Sequence, residues 1–203
     1  LSEQDFSVTD FKNYMTAGAV ASSQIEGNSL DLNSYYQSRE NKKNTKEVIE
    51  IENLLVAYQF AKSHKLTQKA LLKCHQTLSA TFTNITKKQK GNYRQTRVGI
   101  SGWSGLLYMA IEPEKVANEM DKLFADIAFL SEQPLTLKQT LYYAASIHFM
   151  FAKIHPFADG NGRAARLLEK WFLAENLGVA VWGIPTEKFY FDYRHLYYEG
   201  LNI

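Results

Sequence analysis

One run of the sequence combines residue types that bind phosphate groups and transfer protons. It spans residues 155–166 and reads His-Pro-Phe-Ala-Asp-Gly-Asn-Gly-Arg-Ala-Ala-Arg. Gly160 and Gly162 permit unusual backbone dihedrals just before a helix, so consecutive backbone N–H groups can turn toward one spot. Arg163 and Arg166 follow in the first turns of that helix, where the positive end of the helix dipole disfavours cations unless an anion is bound. The run therefore predicts a site for a polyanion such as a di- or triphosphate.

Two other side chains of the run could supply chemistry at such a phosphate. Asp159 offers the hard oxygen ligand that Mg²⁺ needs, since this ion takes one or two carboxylates and keeps several waters. His155 stands where a general base could act on an incoming hydroxyl group. Each residue taken singly also fits a plain connection between helices, with a structural histidine and surface arginines. A chance match to all of H-x-F-x-D/E-G-N-G-R-x-x-R has a probability on the order of one in 10⁸, which favours the functional interpretation.

In this pattern the chain resembles the Fic family. Members with the full pattern are mostly AMP transferases, which bind ATP with Mg²⁺ and move AMP onto a Ser, Thr or Tyr hydroxyl of a target protein. The resemblance implies that His155 deprotonates the target hydroxyl, that Asp159 holds Mg²⁺, and that Phe157 anchors the loop in the core. It implies a phosphate site built from the second half of the run: Gly160, Asn161, Gly162, Arg163 and Arg166. Because the family's Doc-type kinases usually have Lys where this chain has Gly162, nucleotidyl transfer is favoured over phosphoryl transfer.

A second resemblance lies upstream, where Ser22 to Gly27 fits the family's inhibitory motif S/T-x-x-x-E-G/N. A carboxylate delivered by Glu26 to Arg166 would satisfy that cation without nucleotide and would compete with the γ-phosphate of ATP. We therefore expect an inhibitory helix at about residues 14–27, with Ser22, Glu26 and Gly27 as its functional residues. The alternative interpretation is an ordinary helix end at Gly27.

A third segment, residues 91–111, is rich in glycine. Gly91, Tyr93 and Arg94 resemble the G-x-Y/F-R element that begins a β-hairpin flap over the active site of Fic proteins. The run from Tyr93 to Ile100 is short, partly β-branched and polar, which favours an exposed hairpin over a helix. An exposed strand could hold a target segment by main-chain hydrogen bonds. The expected docking residues are Val98, Gly99 and Ile100, and the alternative is an ordinary surface hairpin.

The C-terminal Tyr197, Tyr198 and Leu201 resemble a Y-Y-x-x-L element that packs near the adenine in family members. An aromatic face and an aliphatic side chain suit a base. We take Tyr198 and Leu201 as the nucleotide-binding candidates, because Tyr197 fits an aromatic helix face in the core equally well.

Helices must position these groups. The chain has 203 residues, 45% of them hydrophobic, with only 11 Gly and 4 Pro, which favours one all-α domain over residues 1–203. Period-3.6 patterns predict helices at 113–130, 137–153 and 161–176. Further helices are expected over 48–58 and after a cap at Thr67. Thr136 is a candidate cap for the helix at 137–153, and Gly178 is placed to end the helix at 161–176. We expect 137–153, apolar on nearly every side, to lie at the centre of the bundle. The polar stretch 38–46 is expected to be an exposed connection.

The resemblance to the Fic family implies a more specific fold. It implies a Fic-type helical bundle with a small β-hairpin flap and with a catalytic loop plus helix at 155–176.

Composition excludes several classes of protein. The 23 basic and 21 acidic residues give a net charge of +2, so there is no global electrostatic basis for binding nucleic acid. The single cysteine, Cys74, excludes an intrachain disulfide or a cysteine-built metal site. No bilayer-spanning run or secretory signal is found, which predicts a cytoplasmic protein, of bacterial type, with no membrane partner. The expected partners are ATP and a target protein, for which the chain itself is one candidate; the sequence leaves a homo-oligomer open.

Three hypotheses follow. The main one is a protein adenylyltransferase that Glu26 inhibits. The first alternative is a hydrolase that uses the same site to remove AMP from modified proteins, with Glu26 orienting a water molecule. The second is a nucleotide-responsive interaction module with negligible catalysis, against which the intact His155 and Asp159 count. The sequence does not name the target protein, and relatives that use UTP or CDP-choline share the phosphate site.

Overall fold

Helices form most of the chain in the computed structural model, which describes residues 8–102 and 105–201 and, within them, all side chains except those of 8–10 and 100–107. The described residues form nine α-helices: α1 (Val8–Ile25), α2 (Leu32–Glu40), α3 (Lys46–Ser63), α4 (Gln68–Leu78), α5 (Pro113–Ser131), α6 (Leu137–Ile154), α7 (Asn161–Leu177), α8 (Thr186–Asp192) and α9 (Arg194–Leu201). A short 3-10 helix, Val179–Gly183, follows α7. The predicted all-α class is confirmed.

Two short strands, β1 (Gly99–Gly102) and β2 (Gly105–Met109), pair antiparallel between α4 and α5. The prediction that the run Tyr93 to Ile100 favours a hairpin over a helix is confirmed only at its end, because residues 93–98 form neither and regular strand structure begins at Gly99. The physical reason is Arg94, whose fully buried side chain binds surrounding carbonyl groups and fixes an irregular backbone before the strand.

Local signals set the helix boundaries as the sequence predicted. Thr67 caps α4 by accepting a hydrogen bond from the Ala70 N–H at 3.2 Å. Thr136 forms a reciprocal capping box with Gln139 at the start of α6. Gly178 ends α7 with a φ of +98°, a conformation that favours glycine.

The stretch 38–46 is only partly a connection, because α2 continues to Glu40. Asp31 caps this helix by accepting a hydrogen bond from the Ser34 N–H at 2.7 Å. Tyr35 is the one buried residue among those of the helix, so α2 has no apolar stripe for a periodicity argument to detect.

The helix at the centre of the bundle is α7, and the expectation that α6 would occupy this place is wrong. α7 is buried along nearly its whole length, whereas α6 exposes Leu137, Leu141 and Tyr142. The central helix carries buried charged side chains, and three of them have a close partner that makes burial tolerable: Arg166 with Glu26, Glu169 with His148 and Lys170 with Glu187. Hydrophobic periodicity does not register such pairs.

One of these pairs fixes α1 and α8 against α7. Lys170 Nζ and Glu187 Oε2 lie 2.7 Å apart, both side chains are fully buried, and Tyr58 donates a hydrogen bond to Glu187 Oε1 at 2.7 Å. Gly18 of α1 packs directly on this pair, since a Cβ there would lie 2.7 Å from Glu187 Oε2. Close packing at Gly18 sets the position of α1, whose C-terminal end carries Ser22.

None of the helices in the described ranges combines the length and the hydrophobicity needed to cross a membrane.

Candidate active site

The predicted phosphate-binding run connects α6 to α7. His155 ends α6 in the left-handed conformation, with a φ of +52°, and Gly160 precedes α7 with a φ of +81°. No side chain caps the start of α7. The backbone N–H groups of Asn161, Gly162 and Arg163 come before the first turn closes and have no partner within the helix. They form a set of donors at the positive end of the helix dipole, a geometry that suits an anion.

Two buried side chains hold this loop in shape. Phe157 is fully buried and stacks on the His75 ring, with 3.6 Å between ring centroids and 4° between planes. The Asn161 side chain accepts a hydrogen bond from the Phe157 N–H at 2.8 Å and donates one to the Phe157 carbonyl at 2.9 Å. The side-chain amide of Asn161 is therefore committed to the loop, and only its backbone N–H is available for a phosphate.

His75 of α4 holds the loop between α6 and α7 in place, a role that the sequence analysis did not predict. The ring Nδ1 accepts a hydrogen bond from the Gly91 N–H at 2.9 Å, and Nε2 donates to the Asp159 carbonyl at 2.9 Å. Burial lowers the pKa of His75 to about 4. The ring is thus neutral, with its proton on Nε2, and ties α4 to the main chain of Asp159.

The Asp159 carboxylate lies beside the free N–H groups. Its Oδ1 accepts a hydrogen bond from the Gly160 N–H at 2.6 Å, and its Oδ2 accepts one from Asn84 Nδ2 at 2.7 Å. Across the described residues, no group of three His, Cys, Asp or Glu side chains could hold a metal ion by itself. A single carboxylate next to a phosphate site suits Mg²⁺, because phosphate oxygens and water supply its other ligands. The residues present fit this ion.

His155 is neutral and half-buried at the edge of the site. Burial lowers the pKa of His155, although contact with the Ala152 carbonyl opposes this effect. Its Nδ1 donates to that carbonyl at 3.4 Å, which leaves Nε2 with a free electron pair. A neutral imidazole held in this tautomer can accept a proton at pH 7.

The upstream motif meets Arg166 directly. Arg166 is buried, and its Nε donates to Ser22 Oγ at 2.9 Å while its Nη2 donates to Glu26 Oε1 at 2.7 Å. A further bond, at 3.0 Å, joins Nη2 to the Ser22 carbonyl. Burial alone would lower the pKa of Arg166, but Tyr197 and Glu26 outweigh it and raise the pKa. The guanidinium therefore stays charged, and the end of α1 satisfies it.

Glu26 reaches this position through a tight turn. α1 ends at Ile25, and Gly27 follows with a φ of +93°. The Gly27 N–H donates to the Gln24 carbonyl at 3.0 Å and the Asn28 N–H to the Ser23 carbonyl at 3.1 Å, which is a Schellman helix end. The turn places Glu26 Oε1 so close to Gly162 that a Cβ at that position would overlap it. Gly27 ends the helix as predicted, and Glu26 lies over the start of α7.

Glu26 separates two cavities in the described part of the chain. One, of about 210 Å³, contains His155, Tyr198 and Leu201. The other, of about 320 Å³, contains Asp159 and Arg163. Glu26 lines both cavities, and Gly162 lines the first.

Arg163 lies in the second cavity and has an unsatisfied donor. It is 8% exposed, its guanidinium lies 4.1 Å from the centroid of the Phe82 ring, and one nitrogen is 3.8 Å from Glu50. Its Nε is buried without a hydrogen-bond partner. Such an orphaned cationic donor is costly unless an anion binds to it.

The two C-terminal tyrosines differ in role. Tyr198 is exposed along the first cavity, and its hydroxyl lies 3.4 Å from the Ile25 carbonyl. The Tyr197 hydroxyl accepts from Arg166 Nη1 at 3.2 Å and contacts His148 Nε2 at 2.9 Å. Tyr197 is thus a polar link behind Arg166 and not simply a core aromatic residue.

Neither Val98 nor Gly99 lines either of these cavities. Val98 immediately precedes β1, and its carbonyl accepts a hydrogen bond from the Ala110 N–H at 3.1 Å. Gly99 is the first residue of β1. The Ile100 side chain is outside the described part of the structure.

Sequence and structure comparisons agree on the relatives of this chain. The model of the Fic/DOC family matches residues 65–173. The chain is 33% identical over 141 residues to the protein adenylyltransferase Fic of Nematostella vectensis, which covers 70% of this chain and 29% of that protein. It is 27% identical over 190 residues to the Culex quinquefasciatus protein of the same name, covering 88% of this chain and 35% of that protein. The chain therefore spans about a third of the length of these curated relatives.

A solved structure extends the likeness to the whole described fold. The crystal structure of a Fic family protein from Desulfovibrio desulfuricans G20 superposes with a TM-score of 0.81 at 27% identity, over 99% of this chain and 60% of that one. The nine-helix fold is of that type.

Proposed function

Because the chain belongs to the Fic/DOC family, we propose that it is a protein adenylyltransferase, which moves AMP from ATP to a Ser, Thr or Tyr hydroxyl of a target protein and is inhibited by Glu26. One observation carries the proposal. A neutral histidine and a lone carboxylate lie at the two ends of an anion site, and an acidic side chain from another helix covers that site.

The phosphate groups of ATP would bind where Glu26 now lies. The free N–H groups at the start of α7 would hold the α- and β-phosphates, and Arg163 and Arg166 would hold the outer ones. The orphaned Nε of Arg163 supports this role, because an anion would satisfy it. Mg²⁺ held by Asp159 would neutralise charge on the phosphate oxygens.

His155 would act on the target. As the hydroxyl oxygen attacks the α-phosphorus, His155 Nε2 accepts the hydroxyl proton, and the bond from that phosphorus to the pyrophosphate oxygen breaks. The lowered pKa of His155, due mainly to burial, supports the role because it keeps the ring unprotonated at pH 7. Adenine would lie between Tyr198 and Leu201, which line the same cavity as His155.

The hairpin would present the target. β1 pairs with β2 along one edge, and within the described residues the sheet has no third strand. The other edge of β1 could receive an extended segment through the main chain of Val98, Gly99 and Ile100. Main-chain hydrogen bonds place few demands on the sequence of the target. An extended segment of another protein or of a second copy of this chain would therefore be able to dock.

Inhibition would come from competition for Arg166. While Ser22 and Glu26 hold the guanidinium, the γ-phosphate has no access to it. Gly27 supports this arrangement, because its positive φ allows the turn that carries Glu26 over the site.

The hydrolase alternative also has a supporting observation: Glu26 and His155 line the same cavity, so a water molecule between them could be oriented toward a bound AMP. The two activities differ in their dependence on Glu26. A hydrolase needs this carboxylate, whereas a transferase is more active without it.

Labelled ATP tests the proposal. With Mg²⁺, protein should gain label from α-³²P ATP and none from γ-³²P ATP, and the His155→Ala variant should lose at least about 100-fold of this activity. His195→Ala, which changes an exposed histidine, serves as the matched control and should retain it. Label from the γ position would indicate a kinase, and ATP binding without transfer, even after Glu26→Gly, would indicate an interaction module. Loss of label from a modified protein, dependent on Glu26, would indicate the hydrolase.

A further inference from the structure

A buried arginine outside the phosphate site binds carbonyl groups only. Arg94 is fully buried, and no ion pair among the described residues includes it. Burial lowers the pKa of Arg94, and Tyr108 and Glu114 oppose this effect. Its guanidinium makes four hydrogen bonds: Nε to the His155 carbonyl at 2.7 Å, Nη1 to Thr96 at 2.9 Å, and Nη2 to Ile111 at 2.6 Å and Ile154 at 3.3 Å. The proposed nucleotide chemistry uses none of these contacts.

A buried cation without a carboxylate partner needs another source of stabilisation. Two of the four carbonyls, those of Ile154 and His155, lie at the C-terminal end of α6. That end of a helix carries the negative pole of its dipole and unpaired carbonyl groups. Arg94 therefore acts as a cationic cap of α6, fixed at the residue that carries the proposed base.

The other two carbonyls belong to residues that flank the two strands of the hairpin. Thr96 precedes β1, and Ile111 follows β2. The Arg94 backbone N–H adds a bond to the Pro156 carbonyl at 2.9 Å. One side chain thus joins both ends of the hairpin to the turn at His155.

A second tie runs parallel to the first. Tyr108 of β2 donates a hydrogen bond to the Lys153 carbonyl, in the last turn of α6, at 2.7 Å. Both ties end on main-chain carbonyls within three residues of one another, so the hairpin is attached to the end of α6 and to no other helix by these bonds.

We propose that Arg94 is a positioning residue, which fixes the hairpin at a set distance from the His155 ring and so determines where a target hydroxyl meets the base. The expected effect on AMP transfer rests on the proposed function, whereas the attachment of the hairpin to the end of α6 is a property of the fold. A displacement of about 1 Å between reacting groups is enough to cost on the order of 100-fold in rate.

The charge of Arg94 acts on the base as well. Burial is the main cause of the lowered pKa of His155; Arg94 lowers it further, while Glu26 and Asp159 raise it. Arg94→Lys retains the charge but loses the planar fork that binds several carbonyls. Arg94→Met loses both. The two variants therefore separate geometry from charge.

The catalytic test compares two acceptors. In the Glu26→Gly background, transfer of AMP to dephosphorylated casein and to the protein itself should fall at least about tenfold for both Arg94 variants. Two properties should stay within about twofold of those of the Glu26→Gly parent: the rate of ATP hydrolysis to AMP, which needs no docked protein, and the affinity for ATP measured by calorimetry. The acid limb of the pH profile should move to higher pH for Arg94→Met alone. Arg97→Met, at an exposed arginine three residues away, is the control.

Hydrogen exchange tests the attachment independently of activity. Arg94→Lys should raise amide exchange in β1, β2 and the turn after α6 by at least about tenfold, with α3 unchanged. Wild-type exchange in the hairpin would overturn the proposal, as would wild-type transfer to casein by a folded Arg94→Lys. A parallel loss of ATP affinity, hydrolysis and transfer would also overturn it, since that pattern indicates a general structural role.

A second variant is available if Arg94→Met fails to fold. Tyr108→Phe removes the hydrogen bond to the Lys153 carbonyl and should raise amide exchange in the hairpin to a smaller extent. If the Glu26→Gly parent transfers no AMP, the proposed function fails while exchange still decides the role of Arg94.

Discussion

Three buried arginines show how differently this protein satisfies the same charged group. Arg94 binds main-chain carbonyls, Arg166 binds Ser22 and Glu26, and Arg163 keeps one donor without a partner. Buried cations of this kind are stable only where their surroundings supply hydrogen-bond acceptors. Protein groups thus satisfy Arg94 and Arg166, and of the three only Arg163 has a buried donor without a hydrogen-bond partner.

At this scale the sequence predicted the residues of the run 155–166, because their types and spacing are local. It did not predict His75 and Asn84, which contact Asp159 from more than seventy positions away in the chain. Nor did it predict the link from Tyr197 to Arg166. Only the packing of helices brings such residues together, and a single sequence carries no signal of these pairs.

The neutral His75 predicts a dependence of stability on pH. Its pKa in the folded protein is about 4, and an unfolded histidine titrates near 6.5. The contribution of His75 is therefore complete above about pH 6.5 and is lost as the pH falls toward 4, up to about 3 kcal/mol. Urea unfolding in EDTA, measured between pH 7 and 5, should show a smaller loss of stability for His75→Gln than for wild type. His195→Gln, at an exposed position, should keep the wild-type dependence; equal pH dependence in all three proteins would contradict a buried neutral His75.

At the scale of elements, local patterns predicted the bounds of helices better than their places in the bundle, and hydrophobic periodicity gave α5, α6 and α7 to within one residue. Thr67, Thr136 and Gly178 bound helices where the sequence indicated. Hydrophobicity instead assigned the central place to α6, because the buried ion pairs of α7 read as polar residues. A pattern of single residues cannot show that Lys170 meets Glu187 across the core.

The packing of α1 on that pair leads to a prediction for Gly18. Alanine favours helices over glycine by about 1 kcal/mol, so propensity alone predicts that Gly18→Ala stabilises α1. The new Cβ would, however, lie 2.7 Å from Glu187 Oε2 in a fully buried place. We expect Gly18→Ala to destabilise the protein by about 1–3 kcal/mol. Gly200→Ala in α9, where a Cβ meets nothing within 4 Å, should be neutral or stabilising in the same urea titrations. Equal effects of the two substitutions would show that α1 is not packed closely at Gly18.

On the scale of the whole molecule, the helices converge so that one acidic side chain lines both cavities of the candidate site. α1 brings Glu26 over the start of α7, between the cavity that holds His155 and the cavity that holds Asp159. The family resemblance led us to expect a Glu26 contact with Arg166, and the distance of 2.7 Å agrees with that expectation. The partition into two cavities could not be foreseen, because it depends on the space between helices and not on residue type.

The central claim is that Glu26 restrains an intact nucleotidyl-transfer site. The most direct measurement is the initial rate of protein labelling from α-³²P ATP and Mg²⁺ for wild type, Glu26→Gly and the double variant Glu26→Gly with His155→Ala. Glu132→Gly, at an exposed acidic residue just after α5, is the control. We predict a rate at least about tenfold above wild type for Glu26→Gly, which corresponds to roughly 1.4 kcal/mol, together with no change for Glu132→Gly and no labelling by the double variant. A folded Glu26→Gly protein that labels no faster than wild type, or labelling that persists without His155, would contradict the account.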